Sequence, residues 1–138
     1  MIAHPHSILL DAEALSALAD SDRRMQAWMV AARRTDSVLY ASTATLVEVT
    51  DGSLRDARIR RAVKALRLRE VTEAIGFRAG GLRAGAVASR SKPRDLTVDS
   101  MVAATALELP SPVVVLTSDV ADLRLLLSGS AIRVEPIG

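Results

Sequence analysis

Four acidic residues stand where side chains from distant parts of the chain could meet: Asp11, Glu48, Asp99 and Asp119. The first and last of them follow short apolar runs of strand length, at residues 7–10 and 113–116. The other two lie at the starts of segments with helical character. In an open parallel sheet, ligands bind outside the carboxyl ends of the strands, where neighbouring connections diverge. If the two runs form neighbouring strands, the sequence predicts that the four carboxylates gather there.

The chemistry of such a cluster points to a divalent cation. Clustered carboxylates repel one another, and they cannot all stay ionised in a partly dry cleft without a counter-charge. The chain has no cysteine, and its two histidines, His4 and His6, precede the first strand. Ligands that are all oxygen favour Mg²⁺, or Mn²⁺ as a substitute, over zinc. A hard cation beside a basic surface is suited to phosphodiester hydrolysis.

Each acid taken singly also has a structural interpretation. Asp11, Asp99 and Asp119 stand near predicted helix N-termini, where a carboxylate caps backbone amides and offsets the helix dipole. Glu48 could lie on a solvated face, although its apolar neighbours oppose this. The joint pattern favours a metal site, while capping stays open for each residue alone.

Length and composition predict one α/β domain spanning residues 1–138. A chain of 138 residues has the length of a single domain, and 49% hydrophobic with 25% charged residues excludes a disordered or fibrous protein. Without cysteine, disulfides and thiol nucleophiles are excluded. No run is long enough to span a bilayer and no signal peptide is predicted, so we expect no membrane association and a cytoplasmic location.

The formal net charge of +2 hides an asymmetry along the chain. The segment from residue 55 to residue 94 contains twelve basic residues and only three acidic ones. Because this basic segment lies within a chain whose other residues are acidic on balance, the sequence indicates a polyanionic partner. Arg60, Lys64 and Arg67 form a basic stripe along a predicted helix at 54–66, and this stripe could bind RNA or be an ordinary solvated face.

Predicted strands alternate with predicted helices along the whole chain. The strands are expected at 7–11, 37–41, 68–71, 113–116 and 132–134. The helices are expected at 12–19, 22–34, 43–49, 54–66, 73–89, 97–109 and 119–127. This alternation predicts a parallel sheet covered on both faces, with the two most apolar strands, at 8–10 and 113–116, in its centre.

Four stretches of sequence carry a resemblance to a known family. They are Ile-Leu-Leu-Asp ending at Asp11, Ala-Thr-Leu-Val-Glu-Val around Glu48, Leu-Thr-Val-Asp-Ser-Met-Val-Ala-Ala-Thr-Ala-Leu around Asp99, and Val-Val-Leu-Thr-Ser-Asp-Val-Ala-Asp-Leu around Asp119. The last two are the most specific, because an Asp leads an alanine-rich helix and Thr-Ser-Asp-x-x-Asp closes the next strand. Together they resemble the PIN-domain ribonucleases and, among them, the VapC-type toxins of VapBC toxin–antitoxin systems.

The resemblance covers the whole chain and implies a fold, an activity and partners. The implied fold is a PIN-like three-layer α/β/α domain with a central five-stranded parallel sheet. The implied activity is Mg²⁺-dependent endoribonuclease cleavage that leaves a 5′-phosphate and a 3′-hydroxyl. The implied partners are a cognate VapB-type antitoxin, an RNA substrate and a second copy of the chain. The alternative is a catalytically weak PIN-like module that acts by binding antitoxin or RNA.

The resemblance also implies roles for individual residues. The four acids become the catalytic quartet, with Asp11, Asp99 and Asp119 as metal ligands. Asp122 becomes an accessory acid, and Thr117 orients a ligand or water. The chain departs from the family at Ala12, where Ser or Thr is usual. The neighbouring Glu13 is an additional acid, either an outer ligand or a solvated helix residue.

Overall fold

The structure of the chain, a computed structural model, describes residues 4–89 and 95–138. The predicted loop at 91–94 lies outside the described residues. So do three of the twelve basic residues counted in the sequence, namely Arg90, Lys92 and Arg94.

Five parallel strands form one sheet in the order β3-β2-β1-β4-β5. They are β1 (Ser7–Leu10), β2 (Val38–Ser42), β3 (Arg67–Arg69), β4 (Val113–Thr117) and β5 (Arg133–Pro136). β1 lies in the middle and pairs with β4 in a register that sets Leu10 opposite Leu116. The predicted parallel sheet, with its two most apolar strands side by side at the centre, is confirmed.

Seven α-helices connect and cover these strands in the described part of the chain. They are α1 (Ala12–Ala19), α2 (Arg23–Arg34), α3 (Leu46–Val49), α4 (Asp56–Val63), α5 (Glu73–Ala88), α6 (Thr97–Ala106) and α7 (Val120–Leu126). A short 3₁₀ turn, Thr43–Thr45, leads into α3.

The central strands divide the core into two apolar layers. Because side chains alternate along a strand, Ile8 and Leu10 point to one face of the sheet and Leu9 to the other. The first two pack with residues of α1, α2 and α4, whereas Leu9 packs with residues of α5, α6 and α7. The chain is therefore the three-layer α/β/α domain that the sequence predicts.

The predicted helix at 54–66 is wrong at both ends, because α4 runs only over Asp56–Val63. After it, the amides of Lys64 and Leu66 donate to the carbonyls of Arg61 and Val63, which are tighter i→i−3 bonds. The chain then enters β3, which pairs with β2. Lys64 therefore lies in a turn.

The predicted basic stripe is consequently not one face of a single helix. Arg60 lies on α4, Lys64 follows that helix, and Arg67 is the first residue of β3, where it pairs with Tyr40. The strand expected at 68–71 begins one residue earlier and ends at Arg69.

Among the helices of the described residues, none combines the length and the apolar character that crossing a membrane requires.

Candidate functional site

The ends of β1 and β4 bring Asp11 and Asp119 to one edge of the sheet. The amide of Asp11 donates to the carbonyl of Leu116 at 3.1 Å, which extends the pairing of the two strands by one residue. From this edge the chain leaves β1 toward β2 on one side and leaves β4 toward β5 on the other. This is the divergence at which open parallel sheets bind ligands.

A cavity of about 340 Å³ opens at this edge. Six of the ten described residues that line it carry a carboxylate: Asp11, Glu13, Glu48, Asp95, Asp99 and Asp119. The structure therefore places all four acids of the predicted quartet around one cavity, together with two further acids.

Three carboxylates lie close enough to share one ion. One oxygen each from Asp99, Asp119 and Asp122 lie within 4.8 Å of one another. Asp122 follows Asp119 by three residues, so the first turn of α7 carries both toward α6. Three carboxylate oxygens without a nitrogen or sulfur donor fit a hard cation such as Mg²⁺. Asp11 is not one of the three; it lines the adjoining wall of the cavity.

Asp11 caps a helix, as one of its two interpretations predicts, and it also stands at the acidic cavity, where its role as a metal ligand stays a prediction. Its Oδ1 accepts a hydrogen bond from the amide of Ala14 at 2.8 Å, so it caps α1, and it also lines the acidic cavity. Burial raises the pKa of this carboxyl, and the charges of Glu13 and Glu48 raise it further. Hydrogen bonds from Thr117 and from the amide of Ala14 oppose the rise in pKa.

The other two aspartates differ from Asp11 at their helix starts. Asp119 stands at the N-cap position of α7, but its side chain does not cap that helix. At the start of α6, the amide of Thr97 donates to Asp95 Oδ1 at 2.9 Å, while Asp99 lies in the first turn, where its charge offsets the helix dipole. A side-chain cap is therefore observed at Asp11 and not at Asp119, and the structural interpretation stays open for Asp99.

Thr117 connects the two strand ends. Its side chain is fully buried, and its Oγ1 accepts a hydrogen bond from the amide of Asp119 at 2.8 Å. The same hydroxyl lowers the pKa of the Asp11 carboxyl. Thr117 thus acts on acids at the ends of both central strands.

Glu48 is exposed, contrary to the expectation raised by its apolar neighbours. The helix that carries it, α3, is a single turn, and Val47 beside it is 73% exposed. A helix this short cannot bury a continuous apolar face. Glu48 accordingly lies at the rim of the acidic cavity, where solvent reaches its carboxylate.

Asp95 is the lining residue that the sequence analysis missed. Hydrogen bonds with Thr97 lower the pKa of its carboxyl, and the charge of Arg83 adds to this effect. The available signal was its position two residues before the predicted helix at 97–109, where an aspartate can accept a hydrogen bond from the first backbone amides.

The predicted RNA-binding residues lie elsewhere. Lys64 and Arg67 line a cavity with Ser37 and Val38, at the amino end of β2, whereas the acids surround the carboxyl ends of the strands. Arg60 is exposed on α4. The structure does not bring these cations to the acidic cavity, and their role stays a prediction.

Comparison with known proteins gives matches in structure. No protein-family model and no curated protein matches the sequence. A chain of DNA-bound VapBC from Salmonella typhimurium superposes with a TM-score of 0.68 at 19% identity, over 96% of this chain and 98% of that chain.

Two further structures show the same relation. A chain of promoter-DNA-bound VapBC2 from Rickettsia felis gives a TM-score of 0.72 at 11% identity, over 94% and 98% of the two chains. A chain of FitAcB from Neisseria gonorrhoeae gives a TM-score of 0.65 at 20% identity, over 92% of this chain and 95% of that chain. The chain therefore has a PIN-like fold, the fold of VapC proteins, as its sequence predicts.

Proposed function

We propose that this protein is a Mg²⁺-dependent endoribonuclease and the toxin of a toxin–antitoxin pair. The observation that carries the proposal is the group of three carboxylate oxygens, from Asp99, Asp119 and Asp122, within 4.8 Å of one another. The group lies at the switch point of a PIN-like sheet, and the sequence around it has the family's Thr-Ser-Asp-x-x-Asp pattern.

The roles of the acids are proposed as the resemblance implies them, with Asp11, Asp99 and Asp119 as ligands of the cation and Asp122 as an accessory acid. Two of the proposed ligands, Asp99 and Asp119, belong to the group of three oxygens, whereas Asp11 lines the adjoining cavity. Asp122 is the third member of that group. When bound, Mg²⁺ or Mn²⁺ supplies Lewis-acid activation of water and of the scissile phosphate. Glu48, exposed at the rim, would take up a proton at a carboxylate oxygen.

Thr117 is a positioning residue in this scheme. Its hydroxyl accepts from the amide of Asp119 and lowers the pKa of the Asp11 carboxyl, so it would act on two of the acids without contacting the substrate. Because it is buried, water does not compete for this hydrogen bond.

The proposed partners are an RNA substrate, a VapB-type antitoxin and a second copy of the chain. VapBC and FitAB complexes, some of them bound to DNA, are the structures that this chain resembles. That likeness favours an antitoxin partner here. A role in cleaving cellular RNA would place the protein in the cytoplasm.

A second candidate is a PIN-like module that binds antitoxin or RNA with little catalysis. The observation in its favour is Ala12, which is buried beside Asp11 and has no hydroxyl where the family usually has one. Weaker binding of the cation would lower the rate of RNA cleavage without abolishing the binding of antitoxin or RNA.

An RNA cleavage assay separates the two candidates. Wild-type protein should cleave RNA with Mg²⁺, and activity should disappear with EDTA or with Asp99→Asn. Asp36→Asn is the matched control, because Asp36 is exposed just before β2, at the opposite end of the sheet. Equal cleavage under all conditions would refute a metal-dependent nuclease, whereas RNA binding without cleavage would favour the second candidate.

A further inference from the structure

A second cavity, of about 260 Å³, adjoins the acidic cavity. The two share three lining residues, Ala12, Glu13 and Glu48, so they form one continuous groove. Among the described residues, the acidic part of this groove is lined by no arginine or lysine. The second part is lined by four acids as well as by two cations, Arg55 and Arg58; the acids are Glu13, Glu48, Asp51 and Asp56.

The two arginines differ in what they already bind. Arg58 Nη1 donates to Asp20 Oδ1 at 2.6 Å, so its charge is engaged in an ion pair. Arg55 is exposed, and within residues 4–89 and 95–138 it forms no ion pair as short as 4.0 Å. Beyond that distance its charge interacts with Asp51 and lowers the pKa of that carboxyl. Of the two arginines, Arg55 is therefore the more available to a ligand.

The backbone that carries Arg55 is held in place by its own hydrogen bonds. The buried carboxylate of Asp56 accepts from the amides of Asp51, at 3.1 Å, and Gly52, at 2.8 Å. The amide of Arg55 donates to Ser53 Oγ at 3.1 Å. Gly52 has φ +81°, a conformation that side chains disfavour, which suits this tight turn. The turn thus fixes the position of Arg55 in the loop between α3 and α4.

A polyanionic substrate needs such a cation. The carboxylates of the acidic cavity repel phosphate groups that are not bound through a metal ion, so affinity must come from positive charge nearby. An arginine guanidinium is the side chain best suited to this task, because its planar array of N–H groups matches the oxygens of a phosphate.

We infer that Arg55 binds a phosphate of the RNA strand adjacent to the phosphate that is cleaved. This inference rests on the proposed nuclease function and assigns the substrate's path along the groove, from the acidic cavity past Glu48 to the turn at residues 51–56. It differs from the sequence-based hypothesis, since Lys64 and Arg67 lie at the other end of the sheet.

Salt dependence of RNA binding is the first test. Binding of a fluorescent single-stranded RNA is measured over a range of salt concentrations for wild type, Arg55→Gln, Arg55→Lys and Arg61→Gln. Each phosphate bound on a single-stranded nucleic acid contributes about 0.7 to the slope of log K against log salt. Arg55→Gln should lower the slope by about that amount, and Arg55→Lys should keep it.

Arg61 is the matched control, because it is exposed on α4 and does not line the groove. Its replacement removes the same charge and should leave the slope of wild type nearly unchanged. Equal slopes for Arg55→Gln and Arg61→Gln, whether both lowered or both unchanged, would overturn the inference.

Cleavage kinetics provide a second readout that a merely structural role would not reproduce. Arg55→Gln should raise KM by about two- to fivefold, the range expected for an exposed charged group that binds substrate, and change kcat little. Arg55→Lys should restore KM in part, because lysine keeps the charge but not the planar array of N–H groups. A fall in kcat at unchanged KM would contradict the inference.

The two proposals fail in different ways. Absence of Mg²⁺-dependent cleavage by the wild type would refute the proposed nuclease function. The binding slopes do not depend on cleavage, and they would still decide whether Arg55 contacts RNA.

Discussion

Thr117 Oγ1 accepts a hydrogen bond from the amide of Asp119 at 2.8 Å, and the same hydroxyl lowers the pKa of the Asp11 carboxyl. Asp11 follows β1 and Asp119 follows β4, so one buried side chain connects the ends of the two central strands. The relative placement of two acids of the candidate metal site therefore depends on a residue that is not itself a ligand.

Removing this hydroxyl should weaken both the fold and metal binding. Thr117→Val keeps the shape of the side chain but leaves the partly buried Asp119 amide without its acceptor, a loss of about 1 kcal/mol, the lower end of the cost for a fully buried group. Thr117→Ser keeps the hydroxyl and is the control. Urea unfolding and Mn²⁺ titration calorimetry measure the two effects, and wild-type Mn²⁺ affinity in Thr117→Val would contradict the positioning role.

Asp11→Asn should stabilise the metal-free protein near neutral pH. Burial raises the folded-state pKa of Asp11 above its usual value of 3.8, so its ionised form is disfavoured in the fold. For a raised aspartate pKa, the contribution to stability is fully present below 3.8 and is lost as the pH rises through the folded-state pKa. The neutral amide of Asn avoids that loss, and its oxygen can still cap α1.

Asp11→Ala separates the charge from the cap. It removes the repulsion but also the acceptor for the Ala14 amide, and loss of a cap costs about 1 kcal/mol. In EDTA, Asp11→Ala should therefore be less stable than Asp11→Asn. The gain of Asp11→Asn over wild type should shrink as the pH falls. A clear loss of stability in Asp11→Asn would show that its hydrogen bonds outweigh the repulsion.

Metal binding should weaken as the pH falls. The pH at which it weakens should be higher than is usual for a site with aspartate ligands. The carboxylates must be deprotonated to bind a cation, and the pKa of Asp11 is raised by burial and by the charges of Glu13 and Glu48. At pH 7, Mg²⁺ at about 100 times its Kd should raise the unfolding free energy by about 2.7 kcal/mol. Thermal melts across a pH series measure this stabilisation, and Glu13→Gln should shift its loss to lower pH. Stabilisation that does not vary with pH would argue against Asp11 as a ligand.

The basic residues Arg60, Lys64 and Arg67 are predicted from the sequence to bind RNA. Replacing all three by Gln should weaken binding and lower the salt slope by about 0.7 for each phosphate that the variant no longer binds. If the slope of the triple variant equals that of wild type, these side chains form the solvated surface that was the alternative interpretation. The cavity at Arg55 shares no lining residue with the cavity at Lys64 and Arg67, so the effect of Arg55→Gln should add to that of replacing Lys64 and Arg67.

The sequence by itself determined the architecture. The alternation of apolar runs with amphipathic segments predicted the parallel sheet. The lack of charge in β1 and β4 predicted their central position, because only strands covered on both faces can be apolar throughout. The sequence also predicted that the acids at the strand ends lie close together, because the carboxyl ends of parallel strands share one edge of the sheet.

Only the tertiary structure decided which oxygens meet. Distances between Asp99, Asp119 and Asp122 depend on how α6 and α7 pack, and periodicity along one segment carries no information about that packing. The position of Arg55 depends likewise on a turn closed by Asp56, and the early end of α4 depends on the pairing of β3 with β2. Local patterns predict elements, whereas a site made from several elements is set by contacts between residues far apart in the chain.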